Sequence, residues 1–229
     1  MKNLFNDVNS LRETLTKPVE IELTIPNEMP QTYTQNYCRS EDVPFRSIKA
    51  LRLRDAYNEA GMYGFVSWRW VEPFVKWING RKCLEIMSGR GWLSYALQQK
   101  GVNVIATDNF SWHENFKEWN DTLTDIECIG AVDAVEKYGS DVDIVIVSWP
   151  EAADTTFKAL KKLYEINSNA VFVFIGDENI EVCADSNFFT HFKEINDEKF
   201  ALAAERYQSW FNFPDRLMLG QYKENNSNL

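Results

Sequence analysis

The spacing of apolar and polar residues changes character near residue 81. Beyond Arg81 short apolar runs alternate with amphipathic stretches, and two runs, Val142-Asp-Ile-Val-Ile-Val147 and Ala170-Val-Phe-Val-Phe-Ile175, show almost no polar face. Unbroken apolar runs of that length suit strands covered by helices on both sides, as in a parallel sheet. The pattern predicts strands at 82–86, 102–107, 126–130, 143–148 and 170–175, separated by helices at 91–100, 112–120, 131–138 and 154–166. Asp154 is placed to cap the last of these helices, whose Phe157, Leu160, Leu163 and Tyr164 share one face. Arg216 to Tyr222 reads as a final strand, and Lys199 to Arg206 before it fits either strand or helix. Strands alternating with helices define an α/β fold.

The first 80 residues follow no such rhythm. Pro18, Pro26 and Pro30 interrupt an N-terminal arm in which Val19 to Ile25 alternates like an edge strand. Phe45 to Ala60 has helical spacing and stops at Gly61. An aromatic segment with two glycines, Gly61 to Trp70, leads to Pro73, read as the first residue of a helix closed by Asn79-Gly80. The chain therefore divides into an N-terminal segment, 1–80, serving as lid, substrate or interaction element, and a domain at 81–229.

Composition narrows the function classes. A 45% apolar, 14% aromatic chain of 229 residues is globular and can bury a sizeable core. Its net charge of −10 opposes binding to a phosphate backbone, so nucleic acid is not the expected partner. With two histidines and no Cys-x-x-Cys spacing, no metal site is expected. No apolar run is long enough to span a bilayer, and Met1 to Asp7 lacks the apolar region of an export signal. Four widely spaced cysteines, with Cys83 and Cys128 in expected buried strands, fit a reduced, cytoplasmic protein.

Chemistry concentrates in Cys83-Leu-Glu-Ile-Met-Ser-Gly-Arg-Gly-Trp-Leu-Ser-Tyr-Ala-Leu97, a strand, a glycine loop and the start of a helix. Gly89 and Gly91 let a ligand approach the backbone, and the first amides of the helix are expected to face the same space. Asp108, at the tip of the second strand, suits a ribose diol. Glu85, at the tip of the first, would repel a pyrophosphate but accept the ammonium of an amino-acid-bearing nucleoside.

With these residues in place the chain resembles the class I S-adenosylmethionine-dependent methyltransferases over about residues 81–222. Their first motif, an acid followed by x-Gly-x-Gly-x-Gly, is matched by Glu85-Ile-Met87-Ser-Gly89-Arg-Gly91, with Met87 at the first glycine. The resemblance implies a Rossmann-like three-layer sandwich, mostly parallel and seven-stranded, with an antiparallel C-terminal strand. It further implies S-adenosyl-L-methionine as cofactor. Glu85 would fix the methionine amino group, with the loop from Met87 to Gly91 beneath the ligand. Asp108, 23 residues after Glu85, would hold the ribose together with Asn109, and Asp133 with Ala134 would meet the adenine. Ser148-Trp149-Pro150-Glu151 looks similar to the Asp/Asn/Ser-Pro-Pro-aromatic motif of amino-group methyltransferases, with Trp149 inserted and Glu151 at the second proline. Ser148, Trp149 and Pro150 are accordingly the candidate catalytic residues.

Other residues have simpler uses. Trp68, Trp70 and Trp112 fit packing better than stacking on a nucleoside, and His113 fits a surface loop. Asp177 and Glu178 close the fifth strand, where they could meet substrate. The expected activity is methyl transfer to a small molecule or a protein. Two other classes compete: a methyltransferase-like binding module without catalysis, suggested by Met87, Trp149 and Glu151, and an NAD-type oxidoreductase, suggested by Gly89-Arg-Gly91-Trp-Leu-Ser94.

Overall fold

The computed structural model describes residues 19–30, 44–111 and 122–224. The expected helix 112–120, with Trp112 and His113, lies outside the described residues. Seven strands form one sheet: β1 (Cys83–Ile86), β2 (Val104–Asp108), β3 (Glu127–Cys128), β4 (Ile144–Ser148), β5 (Val171–Gly176), β6 (Phe192–Glu194) and β7 (Arg216–Tyr222). Their spatial order is β3-β2-β1-β4-β5-β7-β6. Strands β1 to β5 are parallel, and β7 runs antiparallel to both of its neighbours, β5 and β6. Helices are α1 (Pro44–Glu59), α2 (Trp68–Ile78), α3 (Trp92–Gln99), α4 (Ala131–Tyr138), α5 (Thr155–Ile166), α6 (Ser186–His191) and α7 (Glu198–Ala204). This is the α/β, Rossmann-like sandwich expected from the sequence.

The unbroken apolar strands work as their pattern predicts. In β4, Ile144 and Ile146 enter one core while Val145 and Val147 enter the other; in β5, Val173 and Ile175 oppose Phe172 and Phe174. The first core takes Trp70, Phe74 and Trp77 from α2, Leu93 and Leu97 from α3, and Phe200 from α7. The second takes Ala134 and Val135 from α4, Leu160 and Leu163 from α5, and Phe188 from α6. Burying a large side chain of this kind stabilises the fold by roughly 1.5–3 kcal/mol. The reversal at the switch between β1 and β4 leaves a crevice at the carboxyl ends of the strands, where ligands of open parallel sheets bind.

Several elements differ from the sequence reading. Val19 to Ile25 forms no strand. Instead the carbonyls of Pro26 and Asn27 accept the first amides of α2, from Trp68 and Arg69, each at 2.9 Å. That contact replaces a side-chain cap, since Ser67 makes none. Pro73 lies inside α2 rather than opening it. An interior proline forfeits one ladder bond, and six fully or nearly buried residues of α2, including Trp70, Phe74 and Trp77, hold the helix in spite of that. Strand β3 has only two residues and leaves Cys128 exposed, so Cys128 is not the buried thiol expected. Asp154 flanks α5 without capping it; its carboxylate pairs with Lys158 at 2.7 Å. Lys199 to Arg206 is helical as far as Ala204, within α7, and both α6 and β6 went unread in the sequence.

Candidate functional site

Three strand ends set the geometry. Just past β1, β2 and β4 the chain turns through non-glycine residues in the left-handed region: Met87 (φ 51°), Phe110 (φ 53°) and Trp149 (φ 52°). A side chain there costs roughly 1–2 kcal/mol, and such strain persists where the surroundings over-determine the backbone. Each reversal bends the backbone away and leaves the strand-end side chains facing one cavity of about 450 Å³. Its walls include Glu85, Met87, Gly89, Asp108, Asn109, Ser148, Trp149 and Pro150. Eight of the residues singled out in the sequence therefore converge.

Glu85 is buried beneath this space. The Ser94 hydroxyl, from α3, donates to its carboxylate, and the Thr107 hydroxyl donates to its carbonyl at 3.0 Å. Burial outweighs the Ser94 bond and pushes the carboxyl up to about 7, with the Asp108 charge adding to the rise. Among the described residues no cation pairs with Glu85.

Asp108 is also buried, and its role is partly architectural. Its Oδ2 accepts the Gly89 amide at 2.7 Å and its Oδ1 accepts the Phe110 amide at 2.7 Å. The glycine loop thus hangs on Asp108. Two more of its amides are committed: Ser88 N–H donates to Thr107 O at 3.0 Å, and Gly91 N–H to Ser88 O at 2.8 Å. Of the first amides of the expected helix 91–100, that of Gly91 is therefore turned to the loop and not to a ligand. A loop this tight needs its own backbone groups paired to hold its shape. The cavity instead meets Trp92 and Leu93 of the first turn of α3. Gly91 (φ 84°) does not line it; a Cβ there would press on Ile126 and Thr124 at 3.1 Å.

Asp133 and Ala134 do not line the cavity either. Asp133 is exposed in the first turn of α4, and Ala134 is buried in the second core; their neighbour Ala131 reaches the wall. Asp177 and Glu178 are likewise absent from it, Asp177 Oδ1 accepting the Asn179 amide at 2.9 Å and Glu178 pairing with Arg216 at 2.9 Å. Trp70 is a core residue whose Nε1 donates to Phe65 O at 2.8 Å, and Trp68 packs at the edge of the same core.

The cavity is also lined by residues the sequence did not assign: Gly61, Met62, Tyr63, Gly64 and Val66, with Val182 from beyond β5. The two glycines in an aromatic run were the available signal. At Gly64 a Cβ would lie 2.8 Å from Trp149 Cδ1 and 3.2 Å from Ser148 Oγ, so the segment and the end of β4 touch closely. The C-terminus of α1 is tied to the loop as well, because Ala60 O accepts Trp92 Nε1 at 2.8 Å and Arg90 Nη1 at 3.3 Å.

Behind Trp149 lies a buried polar group with no sequence signature. Trp149 Nε1 donates to Asp215 Oδ2 at 2.9 Å, and the Tyr207 hydroxyl donates to the same oxygen. Burial pushes Asp215 up to about 6 against the pull of these bonds, and the Tyr207 phenol is raised by burial and by that charge. Cys83 and Cys183 are free buried thiols, pushed up to about 12 by burial and so unreactive. Among the described residues no cluster of His, Cys, Asp and Glu could hold a metal ion, and no helix is long and apolar enough to cross a membrane.

No known family and no curated protein matches the sequence. Solved structures do resemble the fold. A TehB-like SAM-dependent methyltransferase from Corynebacterium glutamicum aligns over 76% of this chain and 98% of its own, at 14% identity and a TM-score of 0.45. A SAM-dependent methyltransferase from Archaeoglobus fulgidus aligns over 72% and 92%, at 13% identity and a TM-score of 0.42. Magnesium protoporphyrin IX methyltransferase from Synechocystis PCC 6803, solved with bound SAM, aligns over 80% and 86%, at 14% identity and a TM-score of 0.40. At these values the likeness is one of general architecture.

Proposed function

We propose that this chain binds S-adenosyl-L-methionine in the crevice above β1 and β2 and directs its methyl group to a small-molecule or protein acceptor. The observation that carries the reading is Glu85: a buried carboxylate on a cavity wall whose hydrogen-bond donors, the hydroxyl and the amide of Ser94, are both neutral. Such a group is costly to ionise until a cation reaches it, and a ligand ammonium is that cation. The same carboxylate disfavours a pyrophosphate, which argues against the NAD-type alternative. Asp108 with Asn109 would hold the ribose, and the adenine would meet the start of α4 at Ala131, the residue there that lines the cavity, in place of the expected Asp133 and Ala134. Gly89, which has nothing within 4 Å of a built Cβ, leaves room for the ligand over the loop formed with Met87 and Gly91.

When bound, S-adenosylmethionine supplies a sulfonium-activated methyl that leaves by in-line displacement. For that chemistry orientation matters more than a strong base. Ser148, Trp149 and Pro150 would orient the acceptor from the end of β4, while Met62, Tyr63 and Val66 exclude water. The test is calorimetry with S-adenosylhomocysteine. Micromolar binding is expected, weakened about tenfold or more in Glu85→Gln, which leaves the ammonium unpaired. No binding to the wild type, or tighter binding of NAD, overturns the proposal. Labelled methyl transfer into a lysate fraction then separates an enzyme from a binding module.

A further inference from the structure

The lining of the cavity holds two chemically different groups of residues. One is the loop side: Glu85, Met87, Ser88, Gly89, Asp108 and Asn109. The other joins Met62, Tyr63 and Gly64 to Trp149, Glu151 and Val182. We infer that this second group takes the acceptor, and that it selects a flat, apolar-bodied molecule that is neutral or cationic and excludes anions. The inference rests on the proposed methyl-donor reading of the loop side.

The selection for shape follows from Trp149. Its indole is held in four ways: the backbone sits at φ 52°, its N–H donates to Ile175 O at 2.7 Å, its Nε1 donates to Asp215, and its ring edge lies against Gly64. The Phe213 ring stands 5.7 Å away, between centroids. A ring fixed so many times is a wall, not a gate. With Tyr63, Met62 and Val182 around it, that wall offers aromatic and apolar surface on which a planar body gains contact without ordering flexible side chains.

The selection for charge follows from the carboxylates. Glu85 and Asp108 belong to the first group, and Glu151, exposed and one residue past Pro150, belongs to the second. At the separations across a cavity of about 450 Å³, each carboxylate repels an anion and attracts a cation appreciably, because low-dielectric walls weaken the screening. The chain's net charge of −10 has the same sign. Asp215, behind the indole, strengthens the wall and adds a charge of the same sign once it is ionised.

The experiment uses three probes that share an indole ring: tryptamine as cation, tryptophol as neutral molecule and indole-3-acetate as anion. Each is titrated by calorimetry into the full chain saturated with S-adenosylhomocysteine. Tryptamine and tryptophol are expected to bind, with indole-3-acetate weaker than tryptophol by about tenfold or more. Glu151→Gln, at an exposed position, is expected to narrow the gap between tryptophol and indole-3-acetate by about threefold. Equal or tighter binding of indole-3-acetate overturns the inference, as does failure of all three probes to bind. A gap that Glu151→Gln leaves unchanged overturns the assignment of charge selection to Glu151. The initial S-adenosylhomocysteine titration keeps the two claims apart. Its failure removes the donor reading and this inference together, whereas success followed by the wrong order of probes removes only the inference.

Discussion

Met87 carries a side chain where the backbone asks for none. At φ 51° it occupies the left-handed region in which glycine is at no disadvantage, and its neighbours Gly89 (φ 56°) and Gly91 (φ 84°) have the residue the turn favours. What offsets the strain is packing, since the Met87 side chain lies against the second core beneath the cavity. The two contributions can be separated by truncation. Met87→Ala removes the packing and keeps the strain, whereas Met87→Gly removes both. Met87→Gly is therefore expected to be the more stable variant by about 1 kcal/mol, the reverse of the usual order for alanine and glycine. Urea unfolding of both variants measures it, and an alanine variant as stable as the glycine variant would show that the turn has relaxed to another conformation.

Among the elements, the junction from β4 to α5 depends on the segment that enters β7. Trp149 and Tyr207 both donate to Asp215 Oδ2, while Asp215 O accepts the Ser209 hydroxyl at 2.6 Å, so the end of β4 and the local turn from Tyr207 to Asp215 meet on one residue. Trp149→Phe keeps the aromatic wall but leaves Asp215 with one donor fewer. The loss of a bond to a buried carboxylate costs on the order of 1–3 kcal/mol when the group is charged and less when it is protonated. Because Asp215 ionises only near about 6, the variant should lose more stability at about pH 8 than at about pH 5, read from urea midpoints at the two values. Equal losses would mean that Asp215 finds another donor. The contact also marks the limit of the sequence as a guide. Glu85, Asp108 and the glycine loop were legible because strand ends and tight turns leave local signatures in residue type and spacing. Asp215 was not, because a lone acid before a strand looks the same whether it is solvated or buried under a tryptophan 66 residues away. The missed elements follow the same division. The three-residue strand β6 and the six-residue helix α6 are too short to show a period, and Val19 to Ile25 has a strand's alternation but pairs with neither edge of the sheet.

At the scale of the molecule, two buried acids shape the dependence of stability on pH. Glu85 rises from 4.5 to about 7 and Asp215 from 3.8 to about 6, in both cases mainly through burial. A raised acid binds its proton more tightly in the folded state than in the unfolded one. Its contribution is therefore fully present below the unfolded value and is lost as pH climbs through the folded value. For these two groups the window runs from about pH 4 to about pH 7, and the loss for each is on the order of 3 kcal/mol. Asp197 opposes the trend only at lower pH. Burial pushes it up, but bonds from the Phe200 and Lys199 amides and Trp77 Nε1 outweigh that and hold it below its ordinary value. The chain should accordingly be more stable near pH 5 than near pH 8, by several kcal/mol, with the urea midpoint falling across the interval. Glu85→Gln with Asp215→Asn should flatten that fall by removing both titrations. A saturating ligand that carries an ammonium should flatten it too, since it favours ionised Glu85 and so returns part of the loss at high pH. S-adenosylhomocysteine added at about pH 8 is then expected to raise the midpoint more than the same excess at about pH 5. A larger rise at the lower pH would mean that the ligand meets Glu85 as the neutral acid and would place its ammonium elsewhere.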